Sequence, residues 1–330
     1  KEILNYLFTG QKLSKEEARK VLYDLASGKY SEIEMASFLT VYNMRPVSTE
    51  ELLGFREAMI ELAIKFDVPV DKVIDVCGTG GDEKQTFNIS TLTAFVLAAS
   101  GAKVVKHGNY AVSSLSGSSN IMEYYGYKFS NSVDKLLREL EKTVIFYLHA
   151  PMFHPAMKNI APVRKALKVK TFFNILGPMI NPALPKSQLI GVFDAKTQEL
   201  YANVYANLDV DYVIIHSLDG YDEISLTNKF RYITRSEEKI VDPEEIKLKK
   251  INPKELQAGK TLDDAAKIFL KIIKGEGTEA QSNVVIANAA FALKCYFPEK
   301  SFDECISIAR ETLLAGKAYI VFKKLMELQN

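Results

Sequence analysis

The sequence predicts an α/β fold: a mainly parallel central sheet flanked by helices, with a smaller all-helical domain on the N-terminal side. Three observations predict it. Residues 1–66 carry helical signals only. From Asp71 onward the pattern becomes strand, loop, helix, repeated, which is the signature of a sheet with helices on both faces. The short β-branched run at 73–76 ends on Gly78-Thr79-Gly80-Gly81-Asp82, a glycine loop just past a strand.

In the helical part, Ser14 with Glu17 and Ser31 with Glu34 are capping-box patterns, each opening a helical period. Gly28 is placed to stop the first of these helices. Pro46 breaks the chain before a further helix, expected over 50–66. The apolar stripes Ala18, Val21, Leu22, Leu25 and Met35, Phe38, Leu39, Tyr42 each need a partner surface. A lobe packed on itself and a dimer face would read alike. No chemistry is legible in this part.

Strands are expected at 73–77, 103–106, 144–149, 189–193 and 211–216, and helices at 90–100, 118–125, 133–142 and 197–208. The segment 151–182 interrupts this rhythm. Pro151, Pro155, Pro162, Pro178 and Pro182 surround a short helix at 159–167, which reads as a hinge or crossing between lobes. An antiparallel extension is expected over 228–250. Helices follow at 262–273 and 278–296, the second almost wholly apolar and therefore buried. Two more are expected over 301–328, punctuated by Gly316. There is no internal repeat and no low-complexity segment.

The bulk properties bound the function. The 330 residues, 47% apolar and 25% charged, can bury one large core plus a smaller lobe. A net charge of +1 provides no long-range field toward nucleic acid or anionic membrane. No apolar run is long enough to span a bilayer, and the first seven residues lack the apolar centre of a signal peptide. Cys77, Cys295 and Cys305 show neither paired nor metal-like spacing, so a reducing cytoplasm is expected. Cys77 reads as a small buried hydrophobe rather than a nucleophile.

Chemistry concentrates in residues 73–126. Two familiar phosphate motifs are excluded. A dinucleotide fingerprint needs a third glycine where Glu83 stands, and a Walker loop ending in Gly259-Lys260-Thr261 needs a glycine where Lys254 stands. The glycine loop is instead another kind of anion cradle, in which N–H groups approach closely because no Cβ intervenes. Asn88-Ile89-Ser90-Thr91 opens an apolar helix whose hydroxyls and free N–H groups form a second anion-facing surface. The second strand ends on Lys106-His107-Gly108-Asn109, where Lys106 suits a diphosphate oxygen as a point charge. His107 and Asn109 also fit a core histidine and a turn residue. Two strand ends so close in sequence predict one site at the carboxyl edge of a parallel sheet.

Farther on, Asp222 and Glu223 are adjacent acids in a loop after a strand, with apolar or turn-like flanks. Mg²⁺ on a diphosphate keeps several waters and takes one or two carboxylates, so the pair suits it, and Ser90 can add a hydroxyl. Arg164, beside Lys165, is either part of a solvated basic face or a fork for a carboxylate.

These residues resemble a known family. GTGGD, TFNIST, KHGN and SSLSGSSN, then HPAMK, VRK and FFNILGP, are similar to the anthranilate phosphoribosyltransferases of tryptophan biosynthesis, whose fold is related to that of pyrimidine nucleoside phosphorylases. The resemblance covers nearly the whole chain. It implies transfer of the phosphoribosyl group from phosphoribosyl pyrophosphate to the amine of anthranilate, with release of pyrophosphate. It implies a helical domain of residues 1–66 joined by part of 155–182, and an α/β domain of 67–154 and 183–330. Phosphoribosyl pyrophosphate is then expected at Gly78, Gly81, Asp82, Thr86, Asn88, Ile89, Ser90, Thr91, Lys106, His107, Gly108, Asn109 and Ser118. Anthranilate is expected at Gly78, Asn109 and Arg164, and Mg²⁺, two ions per subunit, at Ser90, Asp222 and Glu223. A cytoplasmic homodimer through the helical domain is expected, with no nucleic-acid or membrane partner.

Two departures from the family pattern stand out. Its usual Arg after Lys-His-Gly-Asn is Tyr110 here, and its usual Gly-Ser-Ala-Asp is Gly117-Ser118-Ser119-Asn120. Tyr110, in a loop 106–114 expected to wrap the ribose phosphate, either donates its hydroxyl to a substrate oxygen or only packs. An aryl amine attacks while neutral, so no general acid or base is expected and Lys106 acts electrostatically. Two other readings stay open. A nucleoside phosphorylase would share the loops, but inorganic phosphate needs neither Asp222 with Glu223 nor Arg164. A non-catalytic nucleic-acid binder would share the fold, but near-zero net charge argues against it.

Overall fold

The computed structural model describes residues 2–111 and 115–329. Val112, Ser113 and Ser114, in the loop expected to wrap the ribose phosphate, lie outside them. Four helices open the chain: α1 (Glu2–Phe8), α2 (Lys15–Ala26), α3 (Glu32–Met44) and α4 (Thr49–Glu61). Capping boxes start three of them, Ser14 with Glu17, Ser31 with Glu34 and Ser48 with Glu51. Gly28 terminates α2 at φ +77°, its N–H donating to the Leu25 carbonyl. Helix α4 ends at Glu61 rather than 66 as expected. The chain leaves the helix because the Ile64 N–H donates to the Phe153 carbonyl, 2.8 Å away. A tertiary partner thus overrides a helical pattern.

The remaining elements are β1 (Ile74–Gly78), α5 (Ile89–Ala99), β2 (Val104–Gly108), α6 (Ser118–Tyr124), α7 (Val133–Thr143), β3 (Ile145–His149), α8 (Ala150–Phe153) and α9 (Met157–Leu167). After 3₁₀ turns at Phe172–Ile175 and Gly177–Met179 come β4 (Ser187–Gly191), α10 (Ala195–Ala206), β5 (Asp211–Ser217), β6 (Phe230–Ile233) and β7 (Glu238–Val241). The chain closes with α11 (Leu262–Ile273), α12 (Glu279–Tyr296), α13 (Phe302–Leu314) and α14 (Lys317–Glu327).

The strands form one sheet in the order β3-β2-β1-β4-β5-β6-β7. The pairs from β3 to β5 are parallel; β5–β6 and β6–β7 are antiparallel, as the extension over 228–250 required. Strands β2, β3 and β4 are buried throughout, the mark of a sheet covered on both faces. From β1 the chain winds outward to β2 and β3; from β4 it winds the other way to β5. The order therefore reverses between β1 and β4, and a crevice opens at their carboxyl ends.

Two large apolar cores and a smaller one, which includes Val105, Phe146 and Phe153, cover the faces. One joins β1, α5 and α12 through residues such as Ile74, Phe95, Val285 and Ala289. The other runs from α2, α3 and α4 through Ile160, Val163 and Phe172 to Ile190, Tyr201 and Ile214 on the sheet side. Phe172 stacks on Phe55 at 4.4 Å, so the Pro-rich segment packs directly onto the N-terminal helices. Gly54 lets α2 and α4 touch: a Cβ there would stand 2.2 Å from the Lys15 carbonyl oxygen.

Candidate active site at the sheet switch point

The glycine loop and the acidic pair meet in the crevice between β1 and β4. Gly78 and Gly191 are register partners at the ends of these strands, and the Thr79 N–H donates to the Gly191 carbonyl at 2.9 Å. The loop carrying Asp222 lies directly on both glycines. A Cβ on Gly78 would stand 2.3 Å from Asp222 Oδ2, and one on Gly191 would stand 1.4 Å from the Asp222 carbonyl oxygen. Neither position can carry a side chain without displacing the acidic loop. The Gly80 N–H donates to Asp222 Oδ2 at 2.7 Å, and Gly80 and Gly81 hold φ of +63° and +81° to aim the loop.

Further contacts fix the acidic loop from behind. The Asn288 side chain, buried on α12, receives the Ile224 N–H at 3.1 Å and donates to the Ile224 carbonyl at 3.0 Å. Ser217 Oγ donates to the Glu223 carbonyl at 2.6 Å. Gly191 and Asn288 both escaped the sequence reading.

The electrostatics of the pair are unusual. Burial pushes the Asp222 carboxyl up to about 7, with the nearby Asp82 charge adding to the effect. Burial pushes Glu223 well above the usual carboxylate range, Asp222 and Asp82 add to that, and a hydrogen bond from the Ser90 backbone and the Lys106 charge pull it back only in part. One oxygen of Asp82, Oδ2, is itself buried without a partner. Asp82, Asp222 and Glu223 thus lie close enough to raise one another, and Glu223 also meets Ser90 and the Lys106 charge. No cation is ion-paired to Asp222 or Glu223 among the described residues. Lys106 is buried, and its ammonium donates to the His107 carbonyl at 3.2 Å. A small cavity lined by Cys77, Gly78, Ser90, Asp222 and Glu223 lies beneath. Burial pushes the Cys77 thiol up to about 12, so it carries no thiolate here.

The other expected residues distribute around this centre. Thr86 bridges to Gln257, and Ile89 turns its side chain into the core. Asn88 spends its carboxamide on Ser116, donating to its carbonyl at 3.0 Å and accepting from its hydroxyl at 3.2 Å. Thr91 is buried with an unpartnered hydroxyl. Gly108 and Ser118 meet at the far side of the crevice, where a Cβ on Gly108 would stand 2.2 Å from Ser118 Oγ. Asn109 is exposed and accepts the Tyr110 N–H at 2.8 Å. The Tyr110 hydroxyl donates to Glu123 at 2.9 Å, and its ring meets His149 edge-on at 4.9 Å.

His107 and Arg164 lie toward the Pro-rich segment. Strand alternation puts His107 on the sheet face opposite Lys106, its ring 5.4 Å from that of His154. Burial holds both imidazoles down, His154 to about 4, so both are neutral near pH 7. Arg164 lies over the Phe173 ring at 5.2 Å and donates to Asn174 at 3.4 Å; among the described residues no carboxylate pairs with it. Lys170, which the sequence did not single out, ties this segment to the glycine loop. Its ammonium donates to the Gly81 carbonyl at 2.9 Å and pairs with Glu83 at 3.0 Å.

Comparison with known proteins adds the family. Residues 1–63 match the "Glycosyl transferase family, helical bundle domain", and residues 70–319 match the "Glycosyl transferase family, a/b domain". The chain is 51% identical over 332 residues to anthranilate phosphoribosyltransferase of Flavobacterium johnsoniae, covering 99% of each chain. It is 49% identical over 330 residues to that of Bacteroides thetaiotaomicron, covering 100% of this chain and 99% of the other. The crystal structure of the Thermus thermophilus anthranilate phosphoribosyltransferase superposes with a TM-score of 0.93 at 31% identity, covering 99% of this chain and 98% of that one. The Saccharomyces cerevisiae enzyme in complex with phosphoribosyl pyrophosphate and Mg shares the fold, with a TM-score of 0.90 at 22% identity, covering 99% and 96%. With relatives about half identical over its full length, the chain belongs to the anthranilate phosphoribosyltransferase family.

Proposed function

We propose that this chain transfers the phosphoribosyl group of phosphoribosyl pyrophosphate to the amine of anthranilate, with the switch-point crevice as the diphosphate and metal site. The observation that supports this division of roles is the acidic pair. Asp222 and Glu223 are adjacent in a loop that the strand-end glycines admit, both pushed toward the protonated form, and neither is ion-paired among the described residues although the Lys106 charge reaches Glu223. Burying acids this way is costly unless a cation completes the site.

The residues present fit Mg²⁺. All the donors are hard oxygens, and Asp82 keeps a buried oxygen free. No cluster of three or more His, Cys, Asp or Glu that could hold a metal occurs among the described residues. Mg²⁺ needs none, because it usually completes its shell with water and substrate phosphates. We assign two ions per subunit, one at Glu223 beside Ser90 and one at Asp222 beside Asp82. When bound, Mg²⁺ neutralises charge that grows on the departing diphosphate.

The chain's own residues supply the rest. The N–H groups of the glycine loop beyond Gly80 cradle the diphosphate, those of Thr79 and Gly80 being spent on Gly191 and Asp222, and the buried Lys106 ammonium faces the growing negative charge. The C1–O bond breaks with its electron pair leaving on the diphosphate, and the neutral amine forms the C1–N bond. No general base is needed, in keeping with the neutral His107 and His154. Arg164, with no carboxylate of its own, receives that of anthranilate, and Asn109 lies on the intervening edge. Lys170 couples that segment to the glycine loop, which positions the two substrates relative to each other.

A homodimer through the helical lobe is part of this proposal; Phe8, Ile33 and Met44 are among its exposed apolar residues, and sedimentation as a monomer would remove that part. The activity itself is tested by the loss of anthranilate fluorescence on adding phosphoribosyl pyrophosphate, with and without Mg²⁺. The expected result is loss that requires both. No loss with both present, or undiminished loss with chelator, would overturn the assignment.

A further inference from the structure

The loop that departs from the family pattern ends in a chain of hydroxyls. Ser118 Oγ lies 2.7 Å from the Tyr147 hydroxyl, that hydroxyl lies 2.8 Å from Ser119 Oγ, and Ser119 Oγ lies 2.9 Å from His149 Nδ1. Ser119 and Tyr147 are buried. Gly108 makes the space, since a Cβ there would stand 2.1 Å from the Tyr147 hydroxyl. His149 is the register partner of Gly108 on the neighbouring strand. Its ring is clamped between Phe129, stacked at 4.3 Å, and Tyr110. Asn120 closes the loop, its Oδ1 accepting the Ala111 N–H at 2.9 Å and the Gly117 N–H at 3.0 Å.

Each hydroxyl carries one proton, and burial pushes the Tyr147 phenol up, so it keeps its own. Three hydroxyls between an imidazole nitrogen and an open end have two consistent directions. If His149 Nδ1 accepts, the protons run from Ser118 to Tyr147 to Ser119 to His149, and Ser118 presents only lone pairs to the crevice. If Nδ1 carries the proton, they run from His149 to Ser119 to Tyr147 to Ser118, and the Ser118 O–H is free to donate. An ionised phosphate oxygen can only accept, so it favours the second direction.

We propose that Tyr147, Ser119 and His149 are positioning residues, forming a directional relay that presents Ser118 as a hydrogen-bond donor to a phosphate oxygen of phosphoribosyl pyrophosphate. This rests on the function proposed above. Substrate binding then selects the Nδ1–H tautomer of His149. The serine at 119, where the family usually has alanine, is the link without which the relay would stop at Tyr147.

The test pairs kinetics with a direct view of the ring. Tyr147→Phe keeps the ring and deletes the hydroxyl; Ser119→Ala cuts the next link. Each should raise KM for phosphoribosyl pyrophosphate by about 2- to 13-fold, leaving KM for anthranilate unchanged. The double variant should do no more than the larger single change, because both cut one chain. In ¹⁵N-histidine spectra, with His149→Gln to assign the signal, phosphoribosyl pyrophosphate with Mg²⁺ should shift the His149 ring to the Nδ1–H form in the wild type and not in Tyr147→Phe. Unchanged KM values in both single variants, equal rises for both substrates, or a His149 tautomer indifferent to substrate would overturn the relay. An inactive wild type would instead sink the proposed function, so the two failures are distinguishable.

Discussion

Two acidic sites in this molecule are both shielded from solvent and differ in what surrounds them. In the helical lobe, Glu51 is fully buried, yet both its oxygens are used. The Leu13 N–H donates to it at 3.1 Å, the Ser48 N–H at 2.9 Å, the Tyr42 hydroxyl at 3.2 Å and the Arg45 guanidinium at 2.9 Å. Burial pushes its carboxyl up, but the Arg45 hydrogen bonds, the two backbone donors and the Arg45 charge outweigh that and hold it below the usual range. At the sheet edge, Asp222 and Glu223 are pushed up instead. The lesson is that burial does not decide what a carboxylate is for. One that brings its own ion-paired cation is part of the architecture; the sheet-edge pair, with backbone donors but no ion pair among the described residues, is the one we propose takes Mg²⁺ with the substrate.

The comparison breaks most visibly at the acidic pair. Asp222→Ala with Glu223→Ala should remove several kcal/mol of transition-state stabilisation and collapse kcat. Tm should hold or rise, because two like charges in a buried place are relieved. A double variant that turns over normally, or one that unfolds, would place these residues with Glu51 in the architecture.

The reverse is expected in the helical lobe. Glu51→Ala strands Arg45 and should cost roughly 3 kcal/mol of stability, with kcat per folded molecule unchanged. The pH dependence has a definite sign. The folded pKa of Glu51 is depressed, so its contribution is complete above the unfolded value of about 4.3 and is lost as pH falls through the folded value. The Tm gap between wild type and Glu51→Gln should therefore shrink as acid melts are taken below about pH 4. A gap that stays constant in acid would remove the ion pair from the account.

Arg164 sharpens the comparison from the cation's side, since it has no acid partner where Arg45 has one. Losing a charged hydrogen bond is worth about 1.5–3 kcal/mol, so Arg164→Ala should raise KM for anthranilate about tenfold or more. KM for phosphoribosyl pyrophosphate should stay nearly constant; an equal rise in both would indicate a disturbed crossing segment. The smallest effect is expected at Tyr110, whose hydroxyl already donates to the exposed Glu123 while its ring packs on His149. Tyr110→Phe should leave both KM values within about twofold, as surface hydrogen bonds are worth little. A selective rise above about fivefold for phosphoribosyl pyrophosphate would show that the hydroxyl reaches substrate.

What was legible in the sequence was what local periodicity writes. The β-branched runs became β1 to β5 within a residue or two, because both faces of a parallel sheet are buried and the pattern is a plain apolar run. The Ser-x-x-Glu boxes became helix starts, since a cap is a local hydrogen bond. The end of α4 was not legible, because Ile64 is claimed by Phe153, far along the chain. The same holds at the site. Asp222 and Glu223 stood out as adjacent acids, but the glycine at 191 that seats them lies on another strand. Asn288 left only a weak signal, one of two buried carboxamides on a mostly apolar helix. Ser119 showed only as a departure from the family pattern, and Tyr147 and His149 gave no signal, because α6 must dock on β3 before the three side chains meet.

The central claim, that the sheet-edge acids await a cation while Glu51 does not, is tested most directly by metal binding with isosteric variants. Mn²⁺ with inorganic pyrophosphate, followed by electron paramagnetic resonance, avoids any dependence on turnover. Wild type and Glu51→Gln should bind Mn²⁺ alike, and Asp222→Asn with Glu223→Gln should lose that binding. Equal binding by the doubly substituted protein would contradict the account.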